Sequence, residues 1–111
     1  MNMNMNTCFH EVYNALGSGL NVDIYHRAIE VYLRMHKIPY ESQKIVPIVF
    51  CEHTVGNIQI DLIVNGDTIV EIKTDKLDII KVGAHLKLVG VKQAYLVNFQ
   101  QKEPEIKIIN L

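Results

Sequence analysis

A chain of 111 residues with 49% hydrophobic side chains is the size of one ordinary domain and can bury a core without disulfide or metal staples. Its 11 basic and 12 acidic residues leave a net charge of -1, which excludes the global basic field of many nucleic-acid binders and confines any such contact to a local patch. Two cysteines and no secretory pattern argue for free thiols and an intracellular protein, cytoplasmic or nuclear rather than secreted, and no apolar run approaches the ~20 residues of a membrane span.

The opening MNMNMN reads as a disordered leader over residues 1–6, followed by a single domain over 7–111. In TCFHEVYNAL, Phe9, Val12, Tyr13 and Leu16 recur at helical spacing, with Thr7 as the expected N-cap and Gly17 as the stop. GSGLNVD is a turn. A second helix then carries Val22, Ile24, Tyr25, Ala28, Ile29, Tyr32 and Leu33 and ends before Pro39. SQKIVPIVFCEH reads as a strand in which Pro47 calls for an edge, a bulge or a strand end, and Gly56-Asn57 is the expected reversal. NIQIDLIV and TIVEIKT follow as strands around Asn65-Gly66, completing a meander of three. A helix from about Leu77 to Val89 ends at Gly90, and KQAYLVNF and EIKIINL close the chain as strands. The order ααβββαββ predicts an α/β (α+β) fold: a mixed sheet of about five strands flanked by helices, the late helix crossing over into a parallel neighbour.

Three charges interrupt the apolar hairpin IDLIVNGDTIVEIKTDK: Asp61, Glu71 and Lys73. Strand alternation puts Glu71 and Lys73 on one face and Val70, Ile72 and Thr74 on the other. A two-residue turn at Asn65-Gly66 would pair Asp61 with Val70 and scatter the charges, whereas a three-residue loop over 65–67 sets Asp61 across from Glu71 at a Cβ separation of about 5 Å. An odd-length loop or a bulge is therefore the expectation. Two carboxylates held that close repel unless a cation intervenes, and a hard divalent ion, Mg²⁺ or Mn²⁺, suits oxygen ligands. Lys73 would then stabilise charge growing on a phosphate. On spacing alone, an ion-pair ladder on a solvated strand face is the more common meaning of such a triplet. Cys8, His10, Cys51 and His53 offer a zinc set on paper, but helical spacing turns Cys8 and His10 about 200° apart. His26, Arg27, His36 and Lys37 give the second helix a basic side whose commoner meaning is a solvated face.

The wider arrangement resembles the PD-(D/E)XK nuclease superfamily, and within it the small GxxExxY proteins. HEVYNALGSGL with the following Tyr25, IDLIVNGDTIVEIKT, and LKLVGVKQAYLVNF are similar to successive blocks of that family, in the same order. The resemblance implies a restriction-endonuclease-like core and a metal-dependent nuclease, with Asp61 and Glu71 as metal ligands, Lys73 supporting the attacking water, and DNA or RNA as partner. A homodimer is a further expectation, and a binding module that has lost activity is the alternative. At the position of the family glutamate this chain has Val22. Its neighbour Asp23 is turned about 100° around the helix, and Glu11 matches another acidic position and is expected to stand in. Where the family carries polar residues on the late helix, this chain has Asp78, Ile79, Lys81 and His85. Lys81 and His85 share one helical face, where they are expected to contact a phosphate, with His85 as a proton carrier.

Overall fold

The computed structural model describes residues 4–110. Its elements are α1 (Met5–Leu16), α2 (Val22–Met35), β1 (Tyr40–Phe50), β2 (His53–Val64), β3 (Thr68–Lys73), α3 (Ile79–Val89), β4 (Gln93–Asn98) and β5 (Glu105–Asn110). The apolar stripe of α1 begins earlier than Phe9: Met5, Cys8, Phe9 and Val12 are all buried. Burying Met5 favours an extra helical turn, so the cap is Asn4, whose side chain accepts from Asn6 N at 2.9 Å, and not Thr7. This corrects the expected leader for residues 4–6; residues 1–3 lie outside the described residues.

The strands form one sheet in the order β1-β2-β3-β4-β5. All neighbours are antiparallel except β3 and β4, which are parallel and joined by α3 as the sequence order requires. Alternating side chains build two cores. On one side Phe9, Tyr25, Ile29 and Leu33 of α1 and α2 meet Leu62, Val70, Ile72 and Val97. On the other, Val82 and Leu86 of α3 meet Ile63, Ile69, Ala94 and Leu96. Each fully buried large side chain contributes ~1.5–3 kcal/mol. Phe99 is central to the first core, stacked on Tyr25 at 4.4 Å and edge-on to Phe9 at 6.4 Å. No helix among the described residues is long and apolar enough to cross a membrane.

The first hairpin differs from its sequence reading. The chain reverses at Cys51 and Glu52, both at positive φ (50° and 68°), while Gly56 and Asn57 lie within β2 opposite Ile48 and Pro47. The register that brings Val46 opposite Ile58 would alone leave three residues, 51–53, at the tip; it shifts after Ile48, so that Phe50 pairs with His53 and only two remain. A bulge between Ile48 and Val49 absorbs the irregularity, and Pro47 is tolerated because β1 is an edge strand.

The turn between α1 and α2 is held from two sides. Gly17 (φ 71°) ends α1, and the Tyr25 hydroxyl donates to Gly17 O at 2.7 Å and accepts from Leu20 N at 3.2 Å. The Gln100 side chain accepts from Gly19 N and donates to Leu20 O, tying this turn to the segment after β4. These bonds fix where α2 begins and hence what its first turn faces.

Candidate active site

The turn at Asn65-Gly66 decides whether the hairpin charges meet. Asn65 and Gly66 both take positive φ (57° and 73°), Asp67 N donates to Val64 O at 3.2 Å, and Val64 pairs with Thr68, so Asp67 is the third loop residue. The odd-length loop expected from the sequence is present. The β2/β3 ladder continues through Ile63↔Ile69 to Leu62↔Val70 and stops there. One step further along that register Asp61 stands across from Glu71, and Asp61 Oδ2 accepts from Ile72 N at 2.9 Å in place of a ladder bond.

A second irregularity aims Asp61. Between β1 and β2 the pairing passes from Ser42↔Leu62 to Lys44↔Ile60 without a change of register, leaving out Gln43, whose φ is 53°, and Asp61 opposite it. Leu62 and Val64 face the α1/α2 core and Ile63 faces α3, yet Ile60 also joins the α3 side. The two-residue alternation slips across Asp61, which releases its side chain from the regular ladder.

Glu71 is 3% exposed, and its Oε1 lies 3.2 Å from His85 Nδ1. Burial first, then the Asp61 charge and a side-chain hydrogen bond with Asp61, push its carboxyl well above the usual range, against the opposing pull of Lys73 and Lys81. Burial, followed by Lys81 and Lys73, lowers His85. Without a cation the cluster therefore favours a protonated carboxyl and a neutral imidazole. The two positioning bonds engage Asp61 Oδ2 and Glu71 Oε1. Carboxylate oxygens are hard donors of the kind that hold a divalent cation, which would take the place of the proton shared in the Asp61–Glu71 hydrogen bond.

Two cavities flank the pair. Glu71, Lys73, Lys76, Asp78, Lys81 and His85 line one of about 180 Å³, and Asp61, Val22, Asp23, His26, Arg27 and Gln43 line another of about 200 Å³. Of the residues expected from sequence, Asp61, Glu71, Lys73, Lys81 and His85 are thus brought together. His85, expected to contact a phosphate beside Lys81, is 6% exposed and packed against Glu71. Glu11 is not brought in: its charge acts on Cys8 and Tyr32, on the α1/α2 side of the sheet, and it lines neither cavity. Asp78 caps α3, accepting from Lys81 N at 3.0 Å. The zinc combination is not assembled, because Cys8 lies in the core while Cys51 is exposed at the hairpin tip.

The sequence reading missed a second polar cluster. His26 Nε2 lies 2.7 Å from Glu30 Oε2 and 2.8 Å from Ser42 Oγ, and Ser42 donates to the same Glu30 oxygen at 2.9 Å. The only sequence signal was the i, i+4 spacing of His26 and Glu30. This cluster ties α2 to β1 beside the irregularity at Gln43.

A family model described as the PD-(D/E)XK nuclease superfamily matches residues 1–109. A solved structure, "Crystal structure of SSO0001", is similar in fold, with a TM-score of 0.58 at 21% identity over 79% of this chain and 48% of that one. The present chain thus spans about half the length of that structure. Comparison with the curated proteins gives no match.

Proposed function

The chain belongs to the PD-(D/E)XK nuclease superfamily, and from that premise we propose that it is a metal-dependent nuclease of the GxxExxY type that hydrolyses phosphodiester bonds in DNA or RNA. The observation that carries the reading is the meeting of Asp61 and Glu71 at the open end of the β2/β3 ladder, with Lys73 in the same cavity as Glu71. Mg²⁺ or Mn²⁺ held by Asp61 and Glu71 would supply a Lewis acid that acidifies a water and neutralises phosphate charge. Asp61 is held in place by Ile72 N and needs little rearrangement to act as a ligand. Glu71 must lose its proton to join it, and the neighbouring Lys73 and Lys81 favour that loss. His85 positions the Glu71 carboxyl. Lys73 donates to the phosphate and orients the attacking water, and Lys81, which lines the same cavity, takes a neighbouring phosphate oxygen.

One observation favours a second reading, a binding module without activity. Val22, in place of the family glutamate, lines the Asp61 cavity and offers no ligand, although Asp23 lines the same space. The test is incubation with mixed DNA and RNA substrates and Mg²⁺ or Mn²⁺, beside Asp61→Ala and Lys73→Ala. Each substitution should slow cleavage by at least about 100-fold. Cleavage unaffected by both would mark a contaminant, and nucleic-acid binding without cleavage would establish the second reading.

A further inference from the structure

A third cavity, of about 340 Å³, lies beyond β4 and is lined by Asp75, Lys76, Asn98, Gln101, Glu105 and Lys107 among others. Its position follows from register. Glu71 pairs with Leu96 and Leu96 with Lys107, while Lys73 pairs with Asn98 and Asn98 with Glu105. These two rows run across one face of the sheet, so Lys107 lies two strands from Glu71, about 10 Å at the usual strand spacing. Lys76 and Asp75 line both this cavity and the one holding Glu71 and Lys73, so the two adjoin.

The walls are fixed. Asn98, 3% exposed, donates through Nδ2 to Asp75 O and accepts from Gln100 N through Oδ1, and Phe99 N donates to Lys73 O. The chain after β3 and the chain after β4 are thereby held to each other. The charges differ from those beside Glu71: Lys76 and Lys107 are offset by Asp75 and Glu105, and carboxamides complete the lining. A bare phosphate gains little in such a neutral space. A neutral group rich in donors and acceptors fits it, and the volume is at the small end of pockets that enclose organic ligands. Gln100 is occupied with the α1–α2 turn, so among the lining carboxamides and lysines Gln101, together with Lys107 on β5, is placed away from the Glu71 cavity to address a ligand.

We propose that this cavity is a nucleobase subsite: it holds one unpaired base of the polynucleotide whose phosphate lies at Glu71 and Lys73, with the base edge read by Gln101 and Lys107. Side-chain amides and lysines are the groups that pair with base edges. The assignment rests on the nuclease reading for the phosphate's position, and its test is separate from cleavage.

Short labelled single-stranded oligonucleotides, each with one nucleotide replaced by an abasic sugar, are titrated with the whole protein in chelator, and binding is followed by anisotropy. One position should weaken binding by about tenfold when its base is removed. The Gln101→Ala/Lys107→Ala variant, altered only at exposed residues, should bind the intact strand more weakly and lose that positional penalty. Equal penalties at every position, the same positional penalty in the variant, or no binding at all would overturn the proposal. Position-dependent binding without cleavage on adding Mg²⁺ would remove the hydrolytic reading and leave the subsite standing. Cleavage without positional dependence would remove the subsite alone.

Discussion

The Glu71 carboxyl makes the stability of the metal-free protein depend on pH in an unusual direction. Its pKa is raised from 4.5 to about 8 by burial and by Asp61. The folded chain therefore retains a proton that the unfolded chain has lost, so this contribution is complete below the unfolded value and is lost as pH rises toward 8. At ~1.4 kcal/mol per pH unit the loss is bounded at ~5 kcal/mol, and relaxation of the Asp61 pair makes about 2 kcal/mol the working figure. For a chain of this size that is a fall in Tm of roughly 8 °C between pH 5.5 and 8.5. His85 acts oppositely: its folded pKa is lowered, so it removes stability as pH falls below its unfolded value, about 6.5. Comparison with Glu71→Gln separates the two, because the amide stays neutral and should abolish the alkaline loss while retaining the acid one. The assay is thermal unfolding in chelator across pH, repeated with Mg²⁺ or Mn²⁺, whose stabilising effect should be larger at pH 8 than at pH 6. A wild-type profile flat on the alkaline side, or a Glu71→Gln profile parallel to it, would refute the reasoning.

Three further outcomes are expected. Deleting Asp67 shortens the loop to two residues and slips β3 by one position, which should abolish Mg²⁺-dependent stabilisation and lower Tm sharply, since the apolar residues of one strand change faces; retention of the Mg²⁺ effect would count against the register argument. Tyr25→Phe keeps the stack on Phe99 but strands Gly17 O and Leu20 N, for a loss of about 1–2 kcal/mol in chemical denaturation, and an unchanged midpoint would show that the turn is held otherwise. Cys8 is fully buried with its thiol pushed up to about 12, first by burial and then by Glu11, whereas Cys51 is exposed; native protein at pH 8 should therefore titrate one thiol quickly and the second only in denaturant.

How much of this was legible in the sequence depends on whether one strand or helix sufficed to decide it. The length of the 65–67 loop could be read because alternation and the need to unite Asp61 with Glu71 both bear on a single hairpin. The order of elements and the parallel crossover were similarly legible, since each rests on periodicity and on segments long enough to span the sheet. What failed required knowing a partner. The reversal was expected at Gly56 because glycine permits a turn, but pairing along β1 places the tip at Cys51 and Glu52. Glu11 has a suitable charge and spacing, yet only the packing of α1 reveals that it lies across the sheet from Glu71. The i, i+4 pair Lys81 and His85 was visible, but not that α3 presses His85 against Glu71. The aim of Asp61 is the clearest case: it results from a left-handed Gln43 on one strand and a slip of alternation on the next. Neither residue carries a local signal for it, because the irregularity belongs to the pair of strands.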